Sequence, residues 1–281
     1  MSELIRLEDI SIVYRTPGHP PRQVLDEVNL SIDAGEFVAV CGQTGCGKST
    51  MLRLILGAEH ASRGRVLIDG QVLPRPDRSR GYVPQKYSLF PHKTVLDNIT
   101  FGPEMEQFGM AGRLTPRFFR RRRELREQAF DYLRQMGLCE ADANKFPDQL
   151  SGGMQQRVAI AQALIMRPKI LLMDEAFSAL DPVTRTEMQA LLRGVWAETG
   201  TTILFVTHNI PEAIYLGTRV VLLGRQSPEA SSRIVLDFEV LDSVRGVSGY
   251  PRREELDRLT KLIEDTALGG RVELEMAEFG R

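Results

Sequence analysis

The chain has 281 residues, of which 42% are hydrophobic and 26% charged, with a formal net charge of −1. Those values fit a soluble globular chain with a sizeable core, and the near-zero charge excludes a global field that recruits nucleic acid or acidic lipid. No apolar run approaches the ~20 residues of a membrane-spanning helix. The opening MSELIRLEDI lacks a signal peptide's apolar core, and three cysteines form no even disulfide framework. A reduced, cytoplasmic protein is expected, one that acts at a membrane only through a partner.

Two early stretches, LIRLEDISIVY and VLDEVNLSI, alternate with a period near two and predict half-buried strands. RTPGHPPRQ between them predicts a turn. EFVAVCG, bounded by Gly35 and Gly42, reads as a buried strand, and STMLRLILG has apolar residues at helical spacing as far as Gly57. The loop joining them, Gly42 to Ser49, fits G-x-x-x-x-G-K-[ST]. Unpaired N–H groups and the helix dipole favour an anion at such a helix start. In that role the backbone amides cradle phosphates, Lys48 neutralises the terminal ones and the Ser49 hydroxyl ligates Mg²⁺. Gly42, Thr44, Gly45, Cys46, Gly47, Lys48, Ser49 and Thr50 are therefore candidate nucleotide-binding residues. Taken alone, the motif says only that a nucleotide binds. Cys46 precedes the helix and neighbours Lys48, so a thiol pKa below the usual ~8.5 is expected there, with Cys41 buried and slower.

GRVLIDGQVL predicts a strand and turn, and RGYVPQ a short strand. From about residue 86 to residue 149 the β-branched runs vanish and charged helical stretches such as RFFRRRRELREQAFDYLRQMGL appear, which predicts a helical insertion. Arg117 and Arg120 to Arg123, with Phe118 and Phe119, form a basic run inside it. It reads either as a solvated helix face near the inner leaflet or as a contact to a membrane partner or regulator. From Ser151 the pattern returns to α/β, with GGMQQRVAIAQALIM, VTRTEMQALLRGVWAETG and IPEAIYLG as helices and KILLMDE, TTILFVTH and RVVLLG as strands. KILLMDE ends in two acids, placing Asp174 to hold Mg²⁺ and Glu175 to polarise the attacking water. Ser151 is a candidate N-cap, and Gly152 and Gly153 let backbone approach an anion. A second anion-binding helix start makes sense if it covers the γ-phosphate bound by another subunit. The tail after Gly224 holds a strand-like RIVLDFEV and the helix REELDRLTKLIEDT, with Leu256, Leu259, Leu262 and Ile263 on one face. It is too small to fold alone and is expected to pack on the rest of the chain, as a regulatory element or a packing extension.

LSGGMQQR (Leu150 to Arg157) resembles the signature of the ATP-binding-cassette family. GQTGCGKST, Gln85 after a short strand, ILLMDE, SALD (Ser178 to Asp181) and His208 at the end of ILFVTH stand around it in the family's order. The resemblance covers about residues 4 to 225. It implies an α/β fold: a P-loop NTPase (RecA-like) core with an antiparallel β subdomain, a helical subdomain insertion and a short C-terminal α/β extension. The corresponding segments are 1–85, 86–150, 151–225 and 226–281. It also implies two subunits paired head to tail, each ATP lying between one phosphate loop and Ser151, Gly152 and Gly153 of the other subunit. Tyr14 would stack on adenine, His208 would contact the γ-phosphate and orient Glu175, Asp181 would link the two sites, and Gln85 would touch Mg²⁺ and the water. The family usually has proline after the catalytic glutamate, where this chain has Ala176. MDEAFSALDP is similar in this to betaine and choline importers, and the acid itself is present.

One set of motifs and an insertion of about sixty residues speak against ribosomal or DNA-repair cassettes. The resemblance thus implies an ATPase coupled to transmembrane solute transport, peripheral on the cytoplasmic face of the inner membrane. Its partners would be an identical or closely related cassette, a separate permease and, indirectly, a periplasmic or lipoprotein solute-binding protein, with no nucleic acid. PDRSRGYVPQKYSLFPHKTVLDNITFG and ALIMRPKILLMDEAFSALDP are similar to the nitrate/sulfonate/taurine importer group, especially cassettes associated with urea carboxylase. A guanidine-like or urea-like solute is one implication; betaine, choline or lipid transport is the alternative.

Overall fold

The early alternation of apolar and polar residues becomes an antiparallel sheet. β1 (Glu3–Tyr14) pairs on one edge with β2 (Arg22–Asp33) and on the other with β4 (Arg63–Ile68), which continues into the short β5 (Gln71–Val72). Ile5, Leu7, Ile10 and Ile12 are buried. The step from Leu7 to Ile10 breaks the period, and there Asp9 takes a φ of 49° at a register shift. The Asn29 side chain holds that bulge, accepting from the Asp9 N–H at 2.9 Å and donating to its carboxylate at 3.0 Å.

The computed structural model describes residues 2–72, 75–86, 88–108, 116–225, 227, 230–240 and 253–267. They fall into two units: Met1–Asp77 with Leu172–Glu175 and Gly200–Arg281, and Arg78–Leu171 with Ala176–Thr199.

The first unit also holds a mainly parallel sheet. β3 (Phe37–Gly42) runs parallel between β8 (Thr202–Val206) and β9 (Arg219–Gly224). Next to β8 lies the end of β7 (Ile170–Asp174), and at the opposite edge β10 (Arg233–Glu239) pairs antiparallel with β9. Apolar runs such as FVAVC and TILFV are buried along their length, as parallel strands covered on both faces require. α1 (Lys48–Leu56) follows β3, and α6 (Ile210–Leu216) lies between β8 and β9 in the chain. The tail helix α7 (Arg253–Ala267) places Leu259 and Ile263 in one buried cluster with Ala39, Cys41, Val220 and Leu222, and Leu256 and Leu262 pack against it. The apolar face expected in the tail therefore joins the core of the first unit.

In the second unit, β6 (Arg80–Val83) stands beside the start of β7, where the Ile170 N–H donates to the Ser79 carbonyl at 3.0 Å. Among the described residues its α-helices are α2 (Val95–Phe108), α3 (Pro116–Gln135), α4 (Gly152–Leu164) and α5 (Pro182–Thr199). The basic run on α3 is largely paired. Arg122 reaches Asp97 at 3.1 Å and Glu104 at 3.2 Å, Arg121 meets Glu124 at 2.6 Å, and Arg123 meets Glu127 at 3.4 Å. Arg120 and Phe119 are exposed; the side chains of Arg117 and Phe118 lie outside the described residues. No helix among the described residues is long and apolar enough to cross a membrane.

Candidate active site

The loop between β3 and α1 closes on its own lysine. The Lys48 ammonium is 5% exposed and donates to the Gly42 carbonyl at 2.8 Å and to the Gln43 carbonyl at 3.1 Å. An ammonium has three donors, so the two carbonyls leave one uncommitted to the loop. Gly47, the N-cap of α1, has a φ of 96°, and a β-carbon there would come 2.7 Å from Leu25 Cδ2. Only glycine suits both demands. Thr44 and Gly45 are exposed at the loop tip, while Thr50 is buried with its hydroxyl 3.4 Å from the Arg53 guanidinium.

β7 delivers its two acids beside this loop. The Ser49 hydroxyl donates to Asp174 Oδ1 at 2.9 Å. Glu175 Oε1 stands 3.9 Å from Lys48 Nζ, and Glu175 Oε2 stands 3.5 Å from His208 Nδ1. Glu175 has a φ of 44°, a left-handed conformation uncommon outside glycine, and its N–H donates to the Val206 carbonyl at 2.9 Å. Strain of this kind costs about 1–3 kcal/mol and gathers at functional sites. The Ser49 and Asp174 oxygens form a hard donor pair that suits Mg²⁺ when phosphate and water supply the other ligands.

Tyr14 and Gly45 line one cavity of about 630 Å³, together with His19, Pro21, Gln23 and Arg225. The Tyr14 hydroxyl donates to Glu59 at 3.1 Å. Sequence reasoning missed Arg225. Its place follows from strand register, since Leu223 is the partner of Gly42 and the chain leaves β9 beside the phosphate loop. No local motif reports that.

Cys46 corrects an expectation. It is 1% exposed, and burial pushes its thiol up although Lys48 and Arg225 pull it down. A reactive thiolate is therefore not what this loop holds; the desolvation of the side chain outweighs dipole and ammonium. Burial also raises the Cys41 thiol to about 12, as its apolar strand implies.

The remaining candidates belong to the second unit. Ser151 is the N-cap of α4, its hydroxyl oxygen accepting from the Met154 N–H at 3.3 Å, and both Ser151 and Gly152 are exposed. At Gly153 a β-carbon would come 2.5 Å from Thr184 Cγ2, so glycine lets α4 and α5 approach closely. Asp181 caps α5, accepting from the Val183 and Thr184 N–H groups at 3.1 Å each. Hydrogen bonds from the Thr184 side chain and backbone hold its carboxyl below the usual range. Gln85 follows β6.

A phosphate loop, a strand ending in Asp-Glu and a histidine facing that glutamate define a P-loop nucleotide hydrolase. Residues 25–178 match the family described as ABC transporter. A taurine import ATP-binding protein, TauB of Rhizobium johnstonii, is 38% identical over 271 residues, covering 93% of this chain and 98% of that one. A nitrate import ATP-binding protein, NrtD of Synechococcus elongatus, is 42% identical over 234 residues, covering 83% and 81%. Among solved structures, the dimeric post-hydrolysis state of the ATP-binding cassette MJ0796 bound to ADP and Pi superposes with a TM-score of 0.70 at 33% identity, covering 85% of this chain and 99% of that one. The chain belongs to the ABC transporter family and is an ATP-binding ATPase of that family.

Proposed function

We propose that this chain is the energy-coupling subunit of an importer for a small polar or anionic nitrogen or sulfur solute. It would work as a pair of cassettes on a separate permease, held at the cytoplasmic face of the membrane. The convergence of Lys48, Ser49, Asp174, Glu175 and His208 within the first unit carries the hydrolytic part of this reading. The taurine and nitrate import relatives support the solute class, and the dimeric solved relative supports the pairing.

Each residue has a definite task in this reading. Tyr14 and the cavity wall receive the adenine end, and the amides from Gly42 to Thr50 with the Lys48 ammonium hold the phosphates. Ser49 and Asp174 hold Mg²⁺, which when bound supplies positive charge to the phosphate oxygens. Glu175, 18% exposed at its side chain, accepts a hydrogen bond from the attacking water. His208 is 55% exposed at its side chain, in reach of both Glu175 and a terminal phosphate. Ser151, Gly152 and Gly153 serve the nucleotide of the partner subunit, and Asp181 connects the two sites.

The test separates binding from chemistry. Glu175→Gln keeps the shape and removes the base, so it retains ATP affinity and accumulates an ATP-bound dimer. Steady-state turnover falls by roughly the 10²–10⁴ typical of a lost general base. Turnover near wild type would remove Glu175 from this role.

A further inference from the structure

Three residues join β8 to α6: Thr207, His208 and Asn209. His208 is largely exposed, yet Thr207 before it is 3% exposed and Glu212, in the first turn of α6, is 6% exposed. The exposed imidazole thus stands on a buried polar base. The Thr207 N–H donates to the Val40 carbonyl on β3 at 3.1 Å, and its hydroxyl donates to Glu212 Oε2 at 2.5 Å. The same hydroxyl accepts from the Asn209 N–H at 3.0 Å. Asn209 Oδ1 in turn accepts from the Glu212 N–H at 3.0 Å.

This differs from an ordinary capping box, in which the acid three residues into the helix takes the N-cap N–H directly. Here the Thr207 hydroxyl stands between them. The Asn209 side chain caps the Glu212 N–H, and the Thr207 hydroxyl takes the Asn209 N–H, so the Glu212 carboxylate is not needed to satisfy that N-cap N–H. Its hydrogen bond instead fixes the direction of the Thr207 hydroxyl, which then holds the backbone of Asn209 just beyond His208. A short O–H···O⁻ bond in a buried setting is among the stronger hydrogen bonds. The opposite side of the His208–Glu175 contact rests on the same strand end, because the Glu175 N–H donates to the Val206 carbonyl.

We propose that Thr207 and Glu212 are positioning residues for the hydrolysis step: they hold His208 at the distance and orientation at which it meets Glu175 and the terminal phosphate. This inference rests on the reading of His208 given above.

The test is a double-mutant cycle on the full chain, with kcat and KM for MgATP measured for each variant. Thr207→Val removes the hydroxyl and nearly keeps the shape. It should lower kcat by about tenfold, within the 10²-fold that a misplacement near 1 Å produces, and leave KM within about twofold of wild type. In a His208→Ala background the same substitution should cost nothing further, since residues acting as one unit are not additive. Thr207→Ser and Glu212→Gln each keep the hydroxyl–acceptor bond and should restore most of kcat. Equal losses from Thr207→Val in both backgrounds would show a merely structural role and overturn the proposal. A loss of about tenfold or more in kcat from Thr207→Ser or Glu212→Gln would overturn it too, and that measurement stands even where Thr207→Val fails to fold. Wild-type turnover in His208→Ala would instead overturn the reading of His208 itself, and with it this inference; a His208→Ala loss with additive Thr207→Val overturns the inference alone.

Discussion

The phosphate loop and the start of α4 are both glycine-rich helix beginnings, but they are built differently. In the first, Cys46, Lys48 and Thr50 are buried, and the lysine is bonded to its own loop carbonyls. In the second, Ser151 and Gly152 are exposed, and Gly153 is there because α5 comes close behind it. One loop encloses its own side chains and charge beneath an exposed tip at Thr44 and Gly45. The other has no lysine, its N-cap serves its own helix, and its open face is presented to solvent. An enclosed cationic loop can hold a nucleotide within one chain, whereas an open neutral helix start gains an anion only when something brings the anion to it.

The largest effect expected from this contrast is on shared catalysis. Ser151→Arg puts bulk and charge on the open face and should abolish turnover while leaving ATP binding by the isolated subunit intact. Lys48→Ala removes the enclosed cation and should abolish binding in its own subunit. A mixed dimer of the two variants contains one complete site and should regain turnover. Loss of all ATP binding in Ser151→Arg would erase the contrast, because Ser151 would then act within its own subunit.

Much of this was legible from sequence, and the physical reasons differ by region. The Gly42–Ser49 loop and the Asp174–Glu175 strand end were readable because backbone geometry fixes those residue types at those spacings, and Ser49 and Asp174 do meet. The tail helix was readable because Leu256, Leu259, Leu262 and Ile263 share a face. The side-chain direction inside a loop was not. A β-carbon at Gly42 would lie 2.7 Å from the Cys46 sulfur, so the thiol occupies space that the glycine leaves empty. The Thr207 hydroxyl takes its place between Asn209 and Glu212 only in the fold, and the helix expected over IPEAIYLG did not report it.

A smaller effect should come from the tail. Leu259 is 1% exposed in the cluster that includes Ala39 and Cys41, on the strand leading to the phosphate loop. Leu259→Ala should destabilise the first unit by about 2–5 kcal/mol, as truncations of buried leucine do. Chemical denaturation would measure this, and nucleotide should offset part of it by binding the folded state. An unchanged midpoint would mean that the tail contributes nothing to the enclosed site's support, and the two glycine-rich starts would then differ only locally.

The smallest effect concerns the thiols, which report how closed the phosphate loop is. Burial raises Cys46, so its nucleophilic thiolate is scarce near neutral pH, and its sulfur is shielded as well. Cys139 is also raised, first by its hydrogen bond to Asp142, yet it is exposed. Access decides between them, because a maleimide must reach the sulfur before protonation matters. Mass-spectrometric mapping should find Cys139 labelled first, Cys46 slowly and Cys41 last, since Cys41 combines full burial with a thiol raised to about 12. Raising the pH should speed Cys139 more than Cys46, whose labelling waits on opening of the loop. Cys46→Ser should keep turnover close to wild type, because the thiol fills space rather than touching phosphate. If Cys46 labels as fast as Cys139 in the nucleotide-free chain, the loop is open, and the enclosed character that separates it from the start of α4 is lost.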